Sequence, residues 1–82
     1  MAIRLPDDAR QRAIGSIKRY FEDQHGEPIG DLKAGLFLDF CLEEICPTVY
    51  NRAIADAQAF IIERAADLEG SCYEPEFAYW KK

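Results

Sequence analysis

Eighty-two residues, with 49% hydrophobic and 30% charged side chains, supply enough chain for one small domain. The net charge of −5 disfavours nonspecific nucleic-acid binding, which rests on Lys and Arg. No run approaches the roughly 20 apolar residues of a bilayer span, so a membrane-spanning helix is not expected.

The chain opens with Ala2-Ile3-Arg4-Leu5-Pro6, where apolar and polar residues alternate up to a proline. That pattern predicts a short extended arm or strand. Asp7 and Asp8 suit the positive end of a helix, and the spacing predicts helix one over 7–25. Ala9, Ala13, Ile14, Ile17, Tyr20 and Phe21 form its apolar face, with Arg12, Arg19 and Asp23 opposite. His25 in the last turn is expected to interact with the final carbonyls, and Gly26 is a stop signal.

Asp31 is the expected N-cap of helix two, which is predicted to run over 31–46. This helix reads DLKAGLFLDFCLEEIC and is apolar on nearly every side. Ala34, Gly35, Phe37, Leu38, Cys41, Leu42 and Ile45 cover more than half its circumference. Leu36 and Phe40 lie among the polar residues and would be wet in a lone chain. Gly35 costs about 1 kcal/mol relative to alanine inside a helix, so it is expected to admit another backbone closely.

Pro47 is expected to end helix two and open helix three. Helix three is predicted over 47–69, with Gly70 as its C-terminal signal. Tyr50, Ala53, Ile54, Ala57, Ile61 and Leu68 read as its core face, and Ala55, Ala59, Ile62 and Ala66 as a second stripe of small residues. The tail over 71–82 carries Tyr73, Phe77, Tyr79 and Trp80. Disordered segments are poor in aromatics, so part of this tail is expected to dock.

Charge is uneven along this path. Residues 1–25 sum to +1, 26–46 to −4, 47–70 to −2, and the tail balances. Three cysteines, Cys41, Cys46 and Cys72, form neither a disulfide framework nor a zinc spacing. Together with an N-terminus that lacks an apolar signal core, they predict a cytoplasmic protein.

The phrases IRLPDD, then IGDLKAGLFLDFCLEEICPTVYNRAIADAQAF, then ADLE resemble the bacterial family known as domain of unknown function 2164. Gly30-Asp31-Leu32, Leu38-Asp39-Phe40, Tyr50-Asn51 and Asp56-Ala57-Gln58 carry the likeness, which covers about residues 3–70. The resemblance implies a small, cytoplasmic, mainly helical protein. It implies no catalytic residue.

A few polar side chains lie near the apolar set. Asp39 and Glu43 share a helix face and could hold a hard divalent cation. The plainer reading is a solvated acidic face, or ion pairs to Arg12, Arg52 or Arg64. No Glu-x-x-His motif of helical di-metal proteins occurs, and no metal or cofactor is expected. Asn51 and Gln58, seven apart on helix three, read either as surface amides or as paired amides at a symmetric interface. Asp56 has Arg52 four residues before it, the spacing of an exposed ion pair. The only histidine is His25, and neither serine has a base signature beside it, so no enzyme activity is expected.

The sequence therefore predicts a mainly α protein: a single domain of three helices with a short extended N-terminal arm and an aromatic C-terminal tail. A chain this small hides only about 60% of its unfolded surface, which predicts a homodimer acting as a protein-interaction or adaptor module. Leu36, Phe40, Gly35, Ala55, Ala59, Ile62 and Ala66 form the expected interface, and the aromatic tail is expected to take a protein partner. The alternative is a ribbon–helix–helix-like DNA-binding regulator or antitoxin. There two arms pair into a β-ribbon in the major groove, Ala2 and Arg4 read bases, and Arg10, Arg12 and Lys18 touch phosphates.

Overall fold

The computed structural model describes residues 2–81. It is mainly helical and holds no strand among the described residues. The elements are α1 (Asp7–His25), α2 (Asp31–Phe40), a π-helical turn (Cys41–Ile45), α3 (Cys46–Cys72) and a terminal 3-10 turn (Tyr79–Lys81). The chain divides into two units, one up to Asn51 and one from Arg52 on.

In the first unit, α1 begins as its acidic first turn dictates. Pro6 is the N-cap with extended backbone, and its carbonyl accepts from the Arg10 N–H at 2.8 Å. A proline costs nothing there, because the first amides of a helix have no intrahelical acceptor. The helix ends at Gly26, whose φ of 69° lies in the left-handed region that glycine enters freely. Its N–H donates to the Glu22 carbonyl at 2.9 Å and closes the last turn.

At the start of α2 the N-cap is Gly30, and Asp31 occupies the first helical position. Asp31 makes no capping bond; its carboxylate accepts from Lys18 Nζ at 2.8 Å and pins the start of α2 to α1. The expected Asp31 cap is thus displaced by one residue.

α1 and α2 pack against each other as a helical hairpin. Ala34 and Leu38 are buried, and so is Gly35, one i, i+3/i+4 patch of α2 turned toward α1. From α1, Ala9, Ala13, Ile14, Ile17 and Phe21 are half-buried. Tyr20, expected on this face, is 59% exposed, because the contact with α2 is only one stripe wide. The ring of Phe21 meets Phe37 edge-on at 5.4 Å between centroids, a geometry that the ring quadrupoles favour. Leu38 is the one large buried side chain among the described residues, and burial of that kind contributes about 1.5–3 kcal/mol.

Pro47 does not break the helical path. In a regular α-helix its ring would meet the carbonyl four residues back, and it has no N–H to offer. The chain accommodates it with the π turn, in which the Cys46 N–H donates to the Cys41 carbonyl, five residues back. The residues that flank the turn, Phe40 and Cys46, stay right-handed helical. Among the described residues there are thus two helical rods, the second running over 31–72 through the π turn, where three helices were expected. α3 also passes through Gly70, the expected stop, and ends at Cys72.

Among the described residues the second unit holds the greater part of α3 and the tail, and contains no other long helix. Every described residue over 48–81 is exposed. The face expected to be core is therefore open: Ile54 is exposed by 51%, Ile61 by 64% and Leu68 by 60%. In the tail, Tyr79 meets Trp80 edge-on at 4.6 Å, and Phe77 takes a left-handed φ of 52° in the preceding turn. Where docking of the tail was expected, Tyr73, Phe77, Tyr79 and Trp80 are all exposed. Among the described residues no helix is long and apolar enough to cross a membrane.

Candidate functional site

Three surfaces stand out. The first lies along the arm. Ile3 and Leu5 are half-buried while Ala2, Arg4 and Pro6 are exposed, so the alternation read in the sequence survives without a strand. Between the arm and the first unit's helices opens a groove of about 620 Å³ whose lining includes Arg4, Leu5, Asp39, Glu43, Tyr50 and Asn51.

Arg10 crosses this groove. Its Nη1 donates to Asp39 Oδ1 at 2.8 Å, a partly buried pair. A guanidinium held this way is committed to a carboxylate, and Lys18 is likewise held by Asp31. Of the basic residues expected to face DNA, Arg4 and Arg12 stay exposed, whereas Arg10 and Lys18 are engaged within their own hairpin. The same Arg10 contact gives Asp39, half of the Asp39–Glu43 carboxylate pair, an internal partner. Among the described residues, no group of three His, Cys, Asp or Glu side chains converges.

The second surface is the turn end of the hairpin. There Phe21, His25, Glu27, Ile29, Lys33 and Phe37 line an open hollow of about 530 Å³. His25 lies against the Phe21 ring, 5.5 Å between centroids and tilted by 32°. Its neighbour is thus an aromatic face, where the helix-end carbonyls were expected.

The third surface is α3. Steps of three and four residues carry apolar side chains along two stripes of this helix, and both are open. One holds Ile54, Ala57, Ile61 and Leu68. The other holds Ala55, Ala59, Ile62 and Ala66, and Ile62 is 61% exposed. Beside the first stripe, on the side away from the second, the Arg64 guanidinium lies over the Phe60 ring, 5.4 Å from its centroid. Phe60 is not among the residues expected to matter, although its i, i+4 spacing to Arg64 is the sequence signal for this contact. Arg52 and Asp56 make the expected i, i+4 pair at 3.4 Å, while Asn51 and Gln58 are exposed amides.

Of the remaining expected interface residues, Leu36 and Phe40 are exposed on α2. Gly35 is already covered by its own chain: a Cβ built there would lie 3.7 Å from Arg10 Nη2 and 3.9 Å from Ile14 Cδ1. Its environment is side chains of α1, and the close backbone approach expected from the sequence is absent at this position. Of the three free cysteines, Cys41 and Cys46 are half-buried and Cys72 is exposed.

A family model described as Uncharacterized conserved protein (DUF2164) matches residues 3–76. The match takes in the arm, both rods and the start of the tail, and stops short of Phe77, Tyr79 and Trp80. No curated protein and no solved structure matches the chain.

Proposed function

The chain belongs to the Uncharacterized conserved protein (DUF2164) family, and from that premise we propose that it is a noncatalytic protein-interaction module that works as a homodimer. The α1–α2 hairpin is the part that folds on itself. α3 is the part that meets a partner.

One observation carries this reading: α3 keeps its large apolar side chains, Ile54, Phe60, Ile61, Ile62 and Leu68, more than half exposed. Contiguous apolar surface of this kind marks an interaction site in water-soluble proteins. The first partner is a second copy, because two-fold self-pairing is the commonest way for a small chain to cover itself. Leu36 and Phe40 on α2, and Ile62 with Ala55, Ala59 and Ala66 on α3, remain available in this reading, and Gly35 does not. The exposed aromatic tail is the place for a different protein. A reducing, cytoplasmic setting fits three cysteines without a disulfide among them.

Sedimentation equilibrium across the micromolar range tests this. The expected species has twice the 9.4 kDa mass of the chain and keeps that mass at moderate salt. A well-folded monomer at every concentration would overturn the proposal. Tight binding of duplex DNA, falling steeply with added salt, would replace it with the regulator reading.

A further inference from the structure

The first stripe of α3 has a symmetry that its exposure makes relevant. Ile54, Ala57, Ile61, Ala65 and Leu68 are spaced by 3, 4, 4 and 3 residues. Their sizes run large, small, large, small, large. Spacing and size therefore read the same in both directions from Ile61. At about 100° per residue all five fall within one narrow sector of the helix. All five are exposed.

A two-fold interface must be self-complementary, with residue i on j and j on i. A helix stripe meets that condition in the antiparallel sense when it is palindromic. We propose, resting on the homodimer reading above, that two α3 helices pair antiparallel on a two-fold axis at Ile61. Ile61 then meets Ile61 of the second copy, Ala57 meets Ala65, and Ile54 meets Leu68. The two alanine layers let the backbones approach, and the three larger layers fill the seam.

Charge favours the same orientation. Residues 52–61 of α3 are neutral, with Arg52 against Asp56, while 62–72 carry Glu63, Arg64, Asp67 and Glu69, a net −2. A parallel in-register pair sets the acidic half on itself and puts Arg64 and Glu69, the charges nearest the stripe, each against its own copy. Like charges facing across an interface oppose association. The antiparallel pair lays the acidic half along the neutral half. It sets Arg64 opposite Gln58 and Glu69 opposite Ala53.

Cys72 gives a control within the native chain. It is exposed and eleven residues beyond Ile61. Antiparallel pairing therefore separates the two copies of Cys72 by roughly 33 Å along the axis, at 1.5 Å per residue. A disulfide needs Cα atoms within about 7 Å.

The test is oxidation with diamide followed by non-reducing electrophoresis, beside sedimentation of each sample. The wild type is expected to form no covalent dimer through Cys72. In a background with Cys41, Cys46 and Cys72 changed to serine, a mixture of Ala57→Cys and Ala65→Cys chains should cross-link as the mixed pair. Each variant alone should cross-link at most a tenth as much. Ile54→Cys with Leu68→Cys should behave the same way, and the alanine positions keep the test valid if those larger truncations fail to fold. A dimer that links Ala57→Cys or Ala65→Cys to itself, or wild-type Cys72 to Cys72, overturns the orientation and leaves the homodimer. A dimer that links at none of these positions overturns the stripe. A monomer overturns both this proposal and the reading on which it rests.

Discussion

Replacing Gly35 with alanine should stabilise the protein. Gly35 sits inside α2, where glycine is about 1 kcal/mol less favourable than alanine. The position is buried, which ordinarily argues against adding an atom. Here the added Cβ would lie 3.7 Å from Arg10 Nη2 and 3.9 Å from Ile14 Cδ1, both ordinary van der Waals separations. The Arg10–Asp39 bond uses Nη1 and survives. The expected gain is therefore about 1 kcal/mol from the backbone, with a smaller addition from the buried methyl. For a chain of this size that raises Tm by about 4–8 °C. Circular dichroism at 222 nm is the assay, at one fixed protein concentration because self-association makes Tm depend on it. Gly15→Ala is the comparison, since Gly15 is exposed in α1 with nothing within 4 Å of its Cβ position. It should gain the backbone part alone. If Gly35→Ala lowers Tm while Gly15→Ala raises it, α1 and α2 approach more closely than described, and the hairpin packing is wrong.

Leu38→Ala should cost about 2–4 kcal/mol in urea denaturation, because it empties the one large buried position of the hairpin. That is a large share of the few kcal/mol a domain of this length holds, and a loss below about 0.5 kcal/mol, a quarter of the smallest value expected, would contradict the assigned core. Gly26→Ala places a Cβ on a left-handed residue and should lower stability by about 1–2 kcal/mol in the same assay. Pro47→Ala removes the ring that the π turn accommodates. It should slow amide exchange across residues 41–47, and unchanged exchange would show that the turn has another cause.

The first rod was legible because its signals are local. Asp7, Asp8 and Gly26 act within one turn, and α1 begins and ends where they place it. Along the arm Ile3 and Leu5 are half-buried between exposed neighbours, so the alternation persists where a short extended arm or strand was expected, although no strand forms. Pro47 misled for a physical reason: the rule that proline ends a helix assumes the i to i−4 ladder, and a single i to i−5 turn evades it. Gly35 was misread because the cost of a helical glycine is visible in sequence, whereas the reason it is tolerated depends on which side chains lie above it. Tyr50, Ile54, Ile61 and Leu68 have the periodicity of a core face. Periodicity tells that a stripe is apolar and leaves open whether the chain itself supplies the cover. The family likeness was also present in the sequence, and the match runs six residues further into the tail than the motifs indicated.

Trp80 is the only tryptophan and is 87% exposed. Its emission should be that of an indole already in water, and melting the hairpin would scarcely change it. A fluorescence unfolding curve would then be flat for a protein that is losing its structure. The same indole makes a sensitive dye-free beacon: a blue shift on mixing with a candidate binder would mean that something has closed over the tail.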